Sequence, residues 1–228
     1  MKNVVIVLAV VIQGAVAPPD TLPAPAAAKL QDSLKAAAAH KQHVWRDTPP
    51  FDRSRRSSPA GSRAEADGQL LTGYIEIPLG GRQKFELDMA KNAAVLDRVV
   101  PDKVGGYPVN YGLVPQTVSY DGDPFDVLVL GPALPTGELV KGAIVGLMHM
   151  RDETGLDSKV VISPVGADGK PTHQLTDADR RRLADYFNRY KRDDEDPKTF
   201  ATVPGWGTAA EGLAFVRMTH GFFLQALK

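Results

Sequence analysis

Three aspartates crowd one short stretch of the chain: Asp121, Asp123 and Asp126 lie within six positions, directly before an apolar run. Carboxylates this close repel one another unless water or a cation screens their charges. Gly122 and Pro124 between them favour a tight turn, which can point two or three carboxylates into one volume. Such an oxygen-rich group suits hard cations, namely Mg²⁺, Mn²⁺ or Ca²⁺. A solvated polar turn is the alternative that this stretch alone leaves open.

A second acidic segment favours the metal site over the polar turn. In residues 150–159 (MRDETGLDSK), a glycine-containing loop joins two predicted strands and sets Asp152 and Asp157 across a hairpin mouth. An EF-hand is excluded, because a loop starting at Asp121 would need glycine at its sixth position and glutamate at its twelfth, where Asp126 and Pro132 stand.

Two predicted strands add charged residues to this group. Polar and apolar residues alternate in 74–78 (YIEIP) and 83–88 (QKFELD), which is the period-2 signature of a strand. The alternation places Glu76, Lys84 and Glu86 on one face. That face is either exposed to solvent or, together with the five aspartates at strand ends, lines a charged cavity.

Basic and phenolic side chains recur among these acids, namely Lys84, Arg98, Lys159, Lys191, Tyr107, Tyr111 and Tyr190. Several divalent ions with lysine and arginine donors suit a substrate that carries many negative charges, and phosphate is the obvious candidate. Metal ions and cations stabilise charge on a transferring phosphoryl group, and a metal ion acidifies water. The residues alone therefore predict metal-assisted phosphoryl hydrolysis.

Short strands come first and helices last in the predicted order of elements. Strands are predicted at 74–78, 83–88, 126–130, 140–150 and 159–162, and helices at 176–190 and 208–226. One face of the first helix contains Leu183, Tyr186, Phe187 and Tyr190, and one face of the second contains Leu213, Val216, His220 and Leu227. This order indicates a mainly β fold with α, a small antiparallel barrel with two helices packed outside. The chain has no G-x-x-x-x-G-K-[ST], G-x-G-x-x-G or G-x-S-x-G motif.

Composition excludes several classes of protein. The 228 residues are 43% hydrophobic, enough for a substantial core, and the formal net charge is zero. No global field therefore draws the chain to nucleic acid or to acidic membranes. The absence of cysteine excludes disulfides, thiolate metal sites and cysteine nucleophiles.

The N-terminal part differs from the rest. Residues 1–17 combine Lys2, an apolar run and a small-x-small pattern at 15–17, which predicts a signal peptide or an N-terminal anchor; Pro18 would hinder cleavage directly after Ala17. Residues 18–68 form a predicted Pro/Ala/Arg-rich extension and linker, with a helix over 27–45 in which His40 and His43 are expected at the surface. The compact domain is predicted to span 69–228.

The run D-G-D-P-F-D-V at 121–127 resembles the D-x-D-P-x-D-V signature of family I soluble inorganic pyrophosphatases. The similarity extends from about residue 74 to 191 through YIEIP (74–78), KFELD (84–88), DR (97–98), YPVNYG (107–112), DETGLDSK (152–159) and YK (190–191). The resemblance implies an OB-like five-stranded barrel, hydrolysis of pyrophosphate with several Mg²⁺ ions (Mn²⁺ or other divalent ions being possible), and a homo-oligomer. No nucleic-acid partner and no membrane domain are expected, apart from a possible N-terminal tether.

Each matching position takes a role from the resemblance. Asp121, Asp126 and Asp157 would bind an activating metal ion, with Asp126 shared by a second ion. Asp152 and Asp157 would hold metal that enters with substrate, while Glu76 and Glu86 support the metal and water network. Asp123 would be the general base for the attacking water. The phosphates would be held by Lys84, Arg98, Tyr111, Tyr190 and Lys191, with Lys159 and Tyr107 nearby.

Two other functions compete with this one, and a catalytically silent exported descendant is a third alternative, which the presence of every inferred acid and cation disfavours. A non-catalytic OB module that binds nucleic acid would show basic residues interleaved with exposed aromatics, whereas this surface is rich in acids. The second competing function is metal-dependent hydrolysis of other phosphoanhydrides, such as nucleotides. The sequence shows no evident base-stacking signature for a nucleotide, which argues weakly against it. The signal-like N-terminus predicts a periplasmic or extracellular protein; the resemblance implies a cytoplasmic one if that segment is not a functional signal.

Overall fold

A computed structural model describes residues 20–52, 70–191 and 199–228. The predicted signal peptide at 1–17 lies outside the described residues, as does the arginine-rich stretch at 53–59. None of the helices in the described ranges has the length and apolar character needed to cross a membrane.

The described residues form nine strands and four helices. The strands are β1 (Leu70–Ile77), β2 (Gln83–Asp88), β3 (Ala93–Val99), β4 (Asn110–Leu113), β5 (Asp126–Val129), β6 (Leu139–Asp152), β7 (Gly155–Leu156), β8 (Lys159–Pro164) and β9 (Ala201–Gly207). The helices are α1 (Ala24–Ala38), α2 (Val44–Asp47), α3 (Asp177–Phe187) and α4 (Ala209–Ala226).

Five strands close into a ring in the order β1-β4-β5-β8-β6, because β6 pairs with both β8 and β1. The long strand β6 can serve several partners since its register shifts between Ile144 and Gly146, and such a bulge bends a strand. The predicted mainly β fold with helices outside is confirmed. The ring differs from the prediction in two respects. First, β5 and β8 run parallel, while the other four pairings of the ring are antiparallel. Second, the ring contains β4, which was not predicted, whereas β2 pairs with β3 in a separate sheet.

Apolar side chains fill the interior of the ring, with Leu71, Ile75, Val127 and Ile162 all wholly buried in one cluster. Each of the two C-terminal helices begins with a capping box, at Thr176 and at Thr208. The caps satisfy amide groups that have no partner inside the helix, so both helices start at the predicted positions.

The predicted apolar face of α3 is buried, since Leu183, Tyr186, Phe187 and Tyr190 all lie in one core cluster. The prediction for the apolar face of α4 was wrong at the C-terminal end of the helix. Leu227 lies beyond the helix and is 54% exposed, whereas Phe223, one turn earlier, is fully buried.

The N-terminal residues 20–52 pack against the body of the protein. Leu30 and Trp45 belong to the same core cluster as Leu113, Phe222 and Phe223. The Trp45 ring lies edge-on to Phe223, with ring centroids 5.1 Å apart, and its indole N–H donates to the Thr117 carbonyl at 3.0 Å.

The single predicted helix over 27–45 was wrong in its middle, because α1 ends at Ala38 and α2 begins at Val44. Arg46 explains the break: its guanidinium donates to the carbonyls of Ala37 and His40 and thereby satisfies the end of α1. The prediction that His43 lies at the surface was also wrong, because His43 is the buried N-cap of α2. Its Nδ1 accepts from the amides of Trp45 and Arg46, so Nε2 donates to the Met89 carbonyl at 3.0 Å.

Truncation of Trp45 tests whether residues 20–52 are integral to the fold. We expect Trp45→Ala to lower the free energy of unfolding by about 3–5 kcal/mol, because it removes a buried ring and leaves a cavity. Urea denaturation followed by circular dichroism measures the loss. Leu227→Ala, at an exposed position, is the control and should change stability little. Equal, small effects of both substitutions would show that the segment contributes no stability.

Candidate active site

The three clustered aspartates lie on a tight turn, called here the site turn (residues 119–126). The Asp123 amide donates to the Asp121 carboxylate at 3.0 Å, and the Gly122 amide donates to the Ser119 carbonyl, also at 3.0 Å. Gly122 has φ +87°, a backbone conformation that glycine adopts at no steric cost. The D-G-D sequence therefore produces a turn that holds both carboxylates on the same side of the chain.

The site turn leads into β5 at one end of the ring, where β5 and β8 begin and β4 and β6 end. A cavity of about 440 Å³ opens at this end. Eleven of the predicted site residues line it: Glu76, Lys84, Glu86, Tyr111, Asp121, Asp123, Asp126, Asp152, Asp157, Tyr190 and Lys191. The topology thus brings together side chains that come from separate motifs over more than half of the sequence.

Three predicted site residues lie outside the lining. Lys159 is fully buried, and its ammonium contacts the carboxylates of Asp126 and Asp157, the latter at 2.8 Å. Tyr107 is 1% exposed, and its hydroxyl has no hydrogen-bond partner among the described residues. Arg98 is exposed on β3, opposite Lys84 in the β2–β3 hairpin.

Lysines neutralise much of the negative charge around the cavity. Lys191 contacts Asp152, and Lys84 contacts Glu86. Burial alone would raise the pKa of Asp152, but hydrogen bonds from Lys191 and Thr154 outweigh it and lower that pKa. For Lys159, burial disfavours the charged form, yet the two neighbouring carboxylates hold the pKa of its ammonium well above the usual value.

The remaining carboxylates hold their protons more tightly than exposed acids do. Burial raises the pKa of Glu76 to about 8, although this side chain accepts a hydrogen bond of 2.7 Å from the Leu87 amide. Burial, followed by the charge of Asp123, raises the pKa of Asp121 to about 6. Asp157 shares the Lys159 ammonium with Asp126; burial and this second carboxylate together raise its pKa. Burial is the largest cause of each of these shifts, so a cation in the cavity would favour the ionised form of these acids.

The donor set fits divalent cations. Carboxylate oxygens are the ligands that Mg²⁺ and Mn²⁺ prefer. The carboxylates of Asp126 and Asp157 already converge on one positive charge, the ammonium of Lys159. Within residues 20–52, 70–191 and 199–228, no three acidic or histidine side chains stand close enough to hold one ion as they are placed. Ion binding would thus require some carboxylates to exchange a lysine partner for the metal.

Eight residues of the cavity lining were not predicted as site residues, and four of them are polar: Lys29, Ser33, Ser119 and Thr154. Thr154 lies in the DETGLDSK segment, and its hydroxyl donates to Asp152 at 2.6 Å. Lys29 and Ser33 belong to α1, and the Lys29 ammonium contacts the Asp123 carboxylate at 2.7 Å. No local sequence signal predicts that contact, since the two residues are 94 positions apart.

A ring of strands with a cavity of carboxylates and lysines at one end suits divalent ions and a highly charged anion. Comparisons with known proteins identify the family. A sequence model described as inorganic pyrophosphatase matches residues 73–223. The chain therefore belongs to the inorganic pyrophosphatase family.

Individual relatives agree with this assignment. The chain is 36% identical over 145 residues to the inorganic pyrophosphatase of Saccharolobus solfataricus, a match that covers 60% of this chain and 83% of the relative. It is 38% identical over 156 residues to that of Leifsonia xyli, covering 64% and 93%. The crystal structure of the Thermus thermophilus inorganic pyrophosphatase superimposes with a TM-score of 0.62 at 30% identity, covering 74% of this chain and 98% of that one.

Replacement of Asp121 tests the raised pKa in metal-free protein. The folded pKa of about 6 lies above the value of about 4 for an exposed aspartate. Ionisation of Asp121 therefore favours the unfolded chain, and this cost is absent below about pH 4 and grows until the pH passes the folded pKa. Between about pH 4 and pH 8, we expect the stability of Asp121→Asn to rise relative to wild type by on the order of 2 kcal/mol.

Urea unfolding at a series of pH values, with a chelator present, measures this difference. Addition of Mg²⁺ should stabilise wild type more than the variant, because an ion that binds only the folded state stabilises that state. Asp185→Asn, on the exposed side of α3, is the matched control and should follow wild type. A difference between Asp121→Asn and wild type that stays constant with pH would contradict the raised pKa.

Proposed function

We propose that the cavity at the end of the ring is where this chain hydrolyses inorganic pyrophosphate to two phosphates. The chain is an inorganic diphosphatase by its family. The observation that carries the assignment to this cavity is the convergence of seven carboxylates with lysines and tyrosines in one space. A surface so rich in acids would repel the backbone of a nucleic acid, so it does not favour an OB-type nucleic-acid module.

We assign the divalent ions to the carboxylates. Asp121, Asp126 and Asp157 would hold the activating ion, with Asp126 shared by a second. Asp152 and Asp157 would hold ions that enter with pyrophosphate, and Glu76 and Glu86 would support the ions and their water. Mg²⁺ is the ion we expect, and Mn²⁺ has the same ligand preference. When bound, such ions neutralise phosphate charge and make water easier to deprotonate.

Asp123 is the general base in this proposal. Its side chain is 54% exposed, so one edge of the carboxylate faces the cavity and can accept a proton from the attacking water. Burial of the surrounding turn raises the pKa of Asp123, which moves it toward the range where a base works best at neutral pH. The water oxygen bonds to one phosphorus, the bridging P–O bond breaks, and the second phosphate leaves without a covalent enzyme intermediate.

Basic and phenolic side chains would hold the substrate. Lys84, Lys191, Tyr111 and Tyr190 line the cavity, and Arg98 lies beside Lys84 on the hairpin. Their donors stabilise negative charge on the phosphate oxygens, including the charge that forms on the leaving phosphate. Lys159 is fully buried, so it would contact phosphate only after Asp126 and Asp157 turn away from it. Tyr107 is buried against the rings of Tyr111 and Tyr190, which line the cavity.

The substitution Asp123→Asn tests the general base. We expect it to lower kcat for pyrophosphate with Mg²⁺ roughly 100-fold or more, because an amide cannot accept the proton. Release of phosphate from pyrophosphate, ATP and polyphosphate measures both the loss and the preference among substrates. Asp185→Asn removes an exposed carboxylate on α3 and should retain wild-type activity. Wild type that leaves pyrophosphate intact would refute the function, and a fully active Asp123→Asn would refute the mechanism.

We also propose that the protein is exported and forms a homo-oligomer. Export is supported by the signal-like pattern of residues 1–17, and the oligomer by apolar side chains on the surface, namely Leu96, Val99 and Phe200. Fractionation of expressing cells should place the activity outside the cytoplasm. Light scattering should give a multiple of the subunit mass, which is 24.5 kDa for the uncleaved chain. An intact N-terminus in the cytosol would refute export.

A further inference from the structure

Helix α1 forms one side of the active-site cavity. Lys29 and Ser33 of this helix line it, together with residues of the site turn and of the strand ends. The match to the inorganic pyrophosphatase family begins at residue 73, so α1 lies outside it. The cavity is therefore built in part by a segment that the family match does not include.

The position of α1 is fixed by close packing on the site turn. Ala26 and Leu30, on the inner side of the helix, are each only 2% exposed. A Cβ atom added to Gly122 would stand 3.0 Å from the Ala26 carbonyl oxygen and 2.9 Å from Lys29 Cβ. The helix thus lies against the backbone between Asp121 and Asp123, and only a residue without a side chain permits that approach.

Lys29 has the freedom that a substrate-binding lysine needs. Its ammonium contacts Asp123 at 2.7 Å, but its side chain is 51% exposed. A lysine that is half exposed can change rotamer at little cost, so it can leave Asp123 for an anion in the cavity without any movement of α1.

Three lysines line the cavity, and each is paired with a carboxylate: Lys84 with Glu86, Lys191 with Asp152, and Lys29 with Asp123. The first two match family positions that are predicted to hold phosphate. Lys29 has the same kind of environment, and it enters from the side of Asp123, where the attacking water would lie. Divalent ions that take up the carboxylates would leave all three ammonium groups in need of a new anionic partner.

We propose that Lys29 is an additional substrate-binding residue, which contacts a phosphate oxygen of pyrophosphate from the side of the general base. This inference rests on the proposed function, because it requires the cavity to be the pyrophosphate site. Helix α1 then acts as a permanent wall that delivers a cation to the substrate and narrows the cavity around it.

The test compares Lys29→Met with Lys35→Met. Lys35 lies on the same helix, pairs with Asp32 and does not line the cavity. We expect Lys29→Met to raise KM for pyrophosphate roughly 10- to 100-fold, as for loss of a hydrogen bond to a charged group. Calorimetric titration with imidodiphosphate and Mg²⁺, which involves no hydrolysis, should show the same loss of affinity. Lys35→Met should match wild type in both measurements, and Lys29→Arg should recover most of the affinity.

Three results would overturn the proposal. Unchanged affinity of Lys29→Met for imidodiphosphate would show that Lys29 does not contact the substrate. A higher kcat with unchanged KM would show that Lys29 only blocks Asp123. If Lys29→Met and Lys29→Arg both lowered the melting temperature and lost affinity for imidodiphosphate equally, the role of Lys29 would be structural. Wild type that binds imidodiphosphate but releases no phosphate from pyrophosphate would refute the proposed function alone, since the titration still tests Lys29.

Discussion

Repulsion among carboxylates is the constraint on which the rest of this structure depends. Seven acidic side chains surround one cavity, and among the residues that the structure describes three lysines supply the positive charges on its lining. A fourth lysine, Lys159, is buried whole beneath Asp126 and Asp157. Desolvation of an ammonium group is costly, so this placement is stable only because two carboxylates face it. The attraction of both carboxylates to Lys159 offsets the cost of its desolvation and keeps the two acids close together.

The ring explains how so much charge can be held in place. Strands bring their ends to a common rim, and the parallel pairing of β5 with β8 starts both at the same level, which sets Asp126 beside Lys159. An antiparallel pair would place the start of one strand beside the end of the other. The apolar interior directly below the rim, with Val127 and Val160 fully buried, then prevents the charged groups from sinking further into the core.

Local patterns in the sequence predicted much of this architecture, and contacts between distant residues were the part that could not be predicted. Alternation in 83–88 gave the bounds of β2, and the threonine caps gave the starts of α3 and α4. Strands β3, β4, β7 and β9 were not predicted. The sequence of β9, ATVPGWG, contains proline and glycine, and its pairing with β6 makes it a strand. The ion pair of Lys29 with Asp123 and the burial of His43 depend on how α1 and α2 dock, which no short motif encodes.

The docking of Trp45 on Phe223 has a consequence for how the protein folds. The ribosome makes α1 and α2 before the nine strands, but their partners in α4 follow those strands in the chain. Until then the apolar side of α1 has no complete surface to cover it, and such exposed segments bind chaperones or other chains. The complete docking surface for the helix that carries Lys29 is consequently available only after α4 has been synthesised.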